Sequence, residues 1–146
     1  MATDRRTLNL FDWQPPVVAH KAEKVRAASF RAKLAKAVST TLKECGRTRA
    51  NVASEMSAML DAEISEHVLN AAASESREDH LLNPERLWAL CTVTGDFRPV
   101  AVLLDRSDNV LIDKRWLGAV REAIATAEKE RLDVVIKAAR REWRGA

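Results

Sequence analysis

Between residues 30 and 94 apolar side chains return every three or four positions, the period of helices with one face turned inward. Phe30, Leu34, Val38 and Leu42 recur at intervals of four, within a stretch that reads as helical from about residue 20 to 44. Gly46 follows where a C-terminal cap belongs. Thr48 suits the N-cap of a second helix reaching about residue 60, with Val52, Ala53, Met56, Met59 and Leu60 on one face. After Asp61-Ala62-Glu63, Ser65 is placed to cap a short third helix over about 66–74, with Val68, Leu69 and Ala72 pointing inward. Asn83 as cap and Pro84 at the first helical position open a fourth, whose buried side takes Leu87, Trp88, Leu90 and Cys91, and Gly95 ends it. A fifth short helix over 98–105, a turn at Asp108-Asn109 and a brief extended segment at Val110-Leu111-Ile112 lead to one long amphipathic helix over about 115–143. The expectation is therefore an all-α chain. An N-terminal arm (1–20) precedes a helical domain (21–112) with a helix-turn-helix at about 48–74, and a C-terminal amphipathic helix (113–146) follows.

Composition agrees with helix: 47% of the 146 residues are apolar, enough to bury a core, and there are only four Gly and four Pro. In the arm, Leu8 to Trp13 forms a short apolar stretch that Gln14-Pro15-Pro16 ends, and a Leu-Phe-Trp cluster of this kind is expected to dock on the body or on a partner. No apolar run approaches the roughly 18 residues of a membrane span, and no apolar signal core follows the N-terminus, so no membrane association and a cytoplasmic location are expected. Cys45 and Cys91 lie far apart without metal-site spacing and read as buried reduced thiols. Charge is segregated along the chain. Residues 1–50 carry 11 Lys/Arg against 4 Asp/Glu, residues 51–110 carry 4 against 11, and residues 111–146 carry 9 against 6. Basic ends around an acidic middle fit phosphate contacts at the ends, and equally fit attraction between segments or protomers.

Residues 46–96 have the order of a helix-turn-helix, in which the first helix braces the second against a major groove. Ala53 is small where two helices approach, Ile64 seals the turn, and Val68 with Leu69 holds the second helix down. This leaves Glu66, His67, Asn70, Ala71 and Ser74 outward as candidate base contacts. Arg47, Arg49 and Arg77, with the Lys and Arg of the first helix, are the candidate phosphate contacts. The stripe of the last helix, with Leu117, Val120, Ile124, Ala127, Val134, Val135 and Ala138, is read either as packing on its own domain or as a dimer interface through Leu117, Val120, Ile124 and Val135. Trp116 and Trp143 bracket that helix as anchors. His20, His67 and His80 have no second His or Cys at ligand spacing, so no metal or cofactor is expected. Glu75, Glu78, Asp79 and His80 read as a solvated loop. With no Gly-rich phosphate loop and no nucleophile elbow, an enzyme is not expected.

Residues 49–96 resemble the helix-turn-helix DNA-binding regulators of Mu-like transposable phages and prophages. The "LF-W-PP" element of that group is matched by Leu10-Phe11-Asp12-Trp13-Gln14-Pro15-Pro16, its "Ser-x-x-x-Leu-Asn/Asp" segment by Ser65 to Asn70, and its "Thr-Gly-Asp" helix end by Thr94-Gly95-Asp96. The lambda-repressor-like class is similar in helix order. The resemblance implies a sequence-specific regulator of prophage transcription or transposition that acts as a homodimer on double-stranded DNA, with a phage transposition or repressor protein as a further partner. One departure is that the expected recognition helix opens with Glu66 and lacks Lys and Arg. Acidic and Asn side chains can read cytosine and adenine, but phosphate affinity has to come from elsewhere. The alternative is a protein-interaction module of the same architecture without DNA contact. The two differ in whether the basic side chains surround the third helix or turn away from it.

Overall fold

The computed structural model describes residues 17–77 and 79–145. The Leu8–Trp13 stretch and Glu78 lie outside the described residues. Contacts divide the chain into two units, one of them Val17–Leu111; Ile112–Gly145 belongs to the other. The described residues are mainly helical and contain no strand, so the fold is all-α.

In the first unit the helical stretch before Gly46 is two helices, α1 (Ala22–Val25) and α2 (Phe30–Glu44). The break falls at Ser29, whose side chain accepts from the Ala32 amide at 3.1 Å and starts α2 afresh. Leu34, Val38 and Leu42 are buried as their spacing requires, but Phe30 at the helix start is half exposed. Gly46 takes the left-handed conformation (φ 68°) that lets the chain turn sharply into α3 (Arg49–Leu60). Thr48 caps α3 by accepting from the Asn51 amide at 3.2 Å. α4 (Glu66–Ala72) follows, shorter than its pattern suggests, and Ser65 makes no side-chain cap bond to it. α5 (Pro84–Thr94) opens as expected, with Asn83 accepting from the Arg86 amide at 2.8 Å, and closes at left-handed Gly95. α6 (Arg98–Ala101) runs into a 3₁₀ turn, Val102–Leu104. Of the extended segment at 110–112, one ladder-like bond is present within this unit, from the Val18 amide to the Leu111 carbonyl at 2.7 Å.

One continuous core joins α2, α3, α4 and α5 through Val38, Leu42, Val52, Met56, Ile64, Leu69, Leu87 and Leu90. α3 packs chiefly on α5, and α4 lies against both α3 and α2. Val25, Leu34, Ala37 and Val102 form a smaller second cluster. Met56 is fully buried and among the largest such side chains, so it is a keystone of the α3–α5 contact. Trp88 departs from the expected pattern. It is 51% exposed, because α5 turns Leu87, Leu90 and Cys91 inward and a residue one position after Leu87 is rotated away from them.

The second unit is a 3₁₀ turn, Lys114–Trp116, leading into α7 (Leu117–Arg144). Asp113 caps the turn by accepting from the Arg115 amide at 2.9 Å. None of the described residues of α7 is buried. Trp143 is exposed beneath the Arg144 guanidinium, and Trp116 is half buried beneath that of Arg115. No helix among the described residues is long and apolar enough to cross a membrane.

Candidate nucleic-acid interface

The turn between α3 and α4 is closed by a side chain that the apolar pattern does not mark. Ser57 Oγ accepts from the Ile64 amide at 2.9 Å and lies 2.8 Å from the Ala53 carbonyl and 3.1 Å from the Ile64 carbonyl, with one proton to give. Asp61 reverses the chain in the left-handed region (φ 47°), and Ile64 is buried beneath the corner. Ala53 is buried, as its small size at a close helix approach suggested. The α3–turn–α4 geometry is therefore held at both its backbone and its core.

On α4, Glu66, His67 and Asn70 are exposed. Ala71 is not. It is 3% exposed and belongs to the buried side with Leu69 and Ala72, since α4 is gripped by α2 as well as α3 and its covered arc is wider than one neighbour would make it. Ser74 lies beyond the helix end, half buried, with its hydroxyl 3.0 Å from that of Ser76. The outward set is thus Glu66, His67 and Asn70.

The basic residues divide. Arg49, in the first turn of α3, donates a side-chain hydrogen bond to Asn70 Oδ1 and so stands at the exposed face of α4. Arg77 is exposed in the loop after α4. Arg47 is committed elsewhere: its Nη1 donates to the Val93 carbonyl near the end of α5 at 2.9 Å, and its Nη2 pairs with Glu55. That geometry joins the α2–α3 loop to α5 through one of the side chains expected to contact phosphate. Of the first-helix lysines, Lys33 pairs with Asp105 at 2.8 Å. Lys36 bonds the Arg26 carbonyl at 2.6 Å and reaches Glu75 at 3.5 Å, while Lys43 is exposed.

A second polar cluster joins residues that the sequence pattern does not connect. His20, assigned to the arm, is buried in the body, and its Nε2 lies 3.1 Å from Thr41 Oγ1. Thr41, fully buried on α2, donates to Asp96 at 2.7 Å. Arg98 binds both Asp96 oxygens and also Glu44, which pairs with Lys24. Burial pushes the Asp96 carboxyl up, but hydrogen bonds from Arg98 and Thr41 outweigh it and hold the group at about 2. Burial, then the Arg98 charge, lowers His20 below its ordinary value. With the Thr41 proton given to Asp96, His20 Nε2 is the donor to Thr41, which leaves Nδ1 as a buried lone pair without a partner. A nucleophile relay needs the hydroxyl to give its proton to histidine, and needs that hydroxyl open to substrate. Here both conditions fail, and the cluster is a clasp holding the chain before α1 and the α5–α6 corner onto α2. The signal available in the sequence was Thr41 itself, a polar residue beside Leu42 in an apolar stripe. Cys91 is likewise buried, its thiol pushed up to about 12, and is chemically quiet.

No family model matches the chain, and neither a curated protein nor a solved structure is similar to it.

Proposed function

We propose that the protein is a sequence-specific regulator that reads double-stranded DNA with α4 and binds as a dimer, acting in prophage transcription or transposition. The observation that carries the reading is the Arg49–Asn70 contact on a braced α3–turn–α4 unit. It puts a cation beside a side-chain amide on the open face of the short helix, where a base edge and a phosphate lie next to each other in a major groove. Glu66 and His67 share that face. Arg77 extends the positive charge past the helix end. Arg49 and Asn70 act as a coupled pair: for Asn70 to bind adenine bidentately, Arg49 has to release its Oδ1 and turn to the backbone.

Selection from random duplex oligonucleotides, followed by fluorescence anisotropy against the recovered site, tests this. Asn70→Ala is expected to cost roughly 1–3 kcal/mol at the selected site and little on non-specific DNA. Arg49→Ala weakens both and lowers the log–log salt slope by about one. Because the two side chains touch, the double variant loses less than the two losses added together. Absence of any DNA binding at low salt refutes the reading. A second reading then takes over, favoured by exposed Glu66 and the lack of Lys and Arg on α4: an interaction module whose acidic helix binds a basic protein such as a transposase or repressor.

A further inference from the structure

α7 exposes Ile124 at 65% and Val135 at 58%, with Leu132 and Ile136 about half exposed, over a helix of 28 residues. At about 100° per residue, Leu117 and Val135 fall within about 20° of Ile124, and Val120 and Ala138 about 40° to one side. Arg131 and Glu128 fall within about 20° and 40° of the same line. Three charged residues therefore share the apolar stripe: Glu142 near its C-terminal end and, at mid-helix, Glu128 and Arg131, hydrogen-bonded to each other through Nε–Oε2 at 3.0 Å and Nη2–Oε1 at 2.9 Å. Against an apolar partner surface this pair would lose its water and keep only its own mutual bonds, whereas an oppositely charged partner pair would replace that water.

We infer that the α7 face pairs with the same face of a second copy, antiparallel, about a two-fold axis passing between residues 129 and 130. In that register Glu128 meets Arg131 of the partner subunit, and Arg131 meets the partner's Glu128. Ile124 meets the partner's Val135. The axis falls close to the midpoint of Leu117–Arg144, so nearly the whole helix overlaps. A parallel pairing would set Glu128 against Glu128 and Arg131 against Arg131, which like-charge repulsion disfavours. Two helices about 40 Å long, each covering about a third of its circumference, bury on the order of 1,000 Å², the lower bound for a specific interface. The arrangement is isologous, the symmetry that paired DNA half-sites require. The inference rests on the dimeric part of the proposed function and is independent of the DNA contact, so a failed DNA-binding assay leaves it standing.

Cysteine cross-linking of the full chain, with bridges located by mass spectrometry, tests the register. Ile124→Cys combined with Val135→Cys is expected to give a covalent dimer bridged 124 to 135. Those positions are about 16 Å apart along one helix and cannot bridge within a chain. Ile124→Cys alone is expected not to bridge to itself. In sedimentation, Glu128→Arg is expected to weaken the dimer roughly tenfold, and adding Arg131→Glu to restore it. Circular dichroism checks that each variant keeps its helix. A monomeric parent protein, self-bridging by Ile124→Cys, no 124-to-135 bridge, or failure of the double charge swap to restore the dimer would each overturn the inference.

Discussion

Replacing Asp96 by Asn keeps the size and shape of the side chain and removes its charge from the clasp on α2. The native carboxyl is held at about 2 against an ordinary 3.8, by Arg98 and Thr41 acting against burial. At 1.36 kcal/mol per unit this is about 2 kcal/mol in favour of the folded state. The Arg98 side chain is about one third exposed, so water screens part of the attraction, and a cost of about 1–2 kcal/mol is expected for the variant at pH 7. The sign follows from the folded value lying below the unfolded one. The contribution is complete above about pH 4 and disappears as pH falls through about 2. Urea unfolding of native and variant protein, followed by helical dichroism, should therefore show a gap at pH 7 that shrinks to about a third of its size near pH 2.5. A gap of equal size at both pH values would mean that Asp96 contributes shape and not charge. A variant as stable as the native protein at pH 7 would remove the clasp from the account of the fold altogether.

Two other substitutions probe the same body. Met56→Ala leaves a cavity between α3 and α5 and should cost about 2–5 kcal/mol in urea unfolding; a loss below 1 kcal/mol would show that α3 and α5 close over the space. His20, lowered by burial and by Arg98, binds its proton more weakly folded than unfolded, so it carries no proton-linked cost above about pH 6.5 and increasingly disfavours the folded state as pH falls below that. His20→Gln should reduce the loss of stability between pH 7 and pH 5, and an unchanged slope would assign that loss to other groups.

Where the governing interaction is local, the sequence by itself determined the outcome. A cap bonds an amide three residues away, so Thr48 and Asn83 mark real helix starts, and Gly46 and Gly95 mark left-handed turns that favour glycine. A 3.6-residue period reveals which residues share a face, so Val52, Ala53, Met56, Leu69, Leu87 and Leu90 were legible as core. It does not reveal how wide an arc neighbouring helices cover. That width depends on how many elements grip the helix. Two grip α4 and bury Ala71, while the inward arc of α5 stops short of Trp88 and leaves it to solvent. Charge composition marked Arg47, Arg49 and Arg77 alike, but a guanidinium bonds whatever acceptor folding brings within about 3 Å. Only tertiary structure could send Arg47 to Val93 and Arg49 to Asn70, across separations of 46 and 21 residues. The His20–Thr41–Asp96 clasp was hidden for the same reason: its members come from three distant segments, and a hydrogen bond has no period along a chain for a sequence to display.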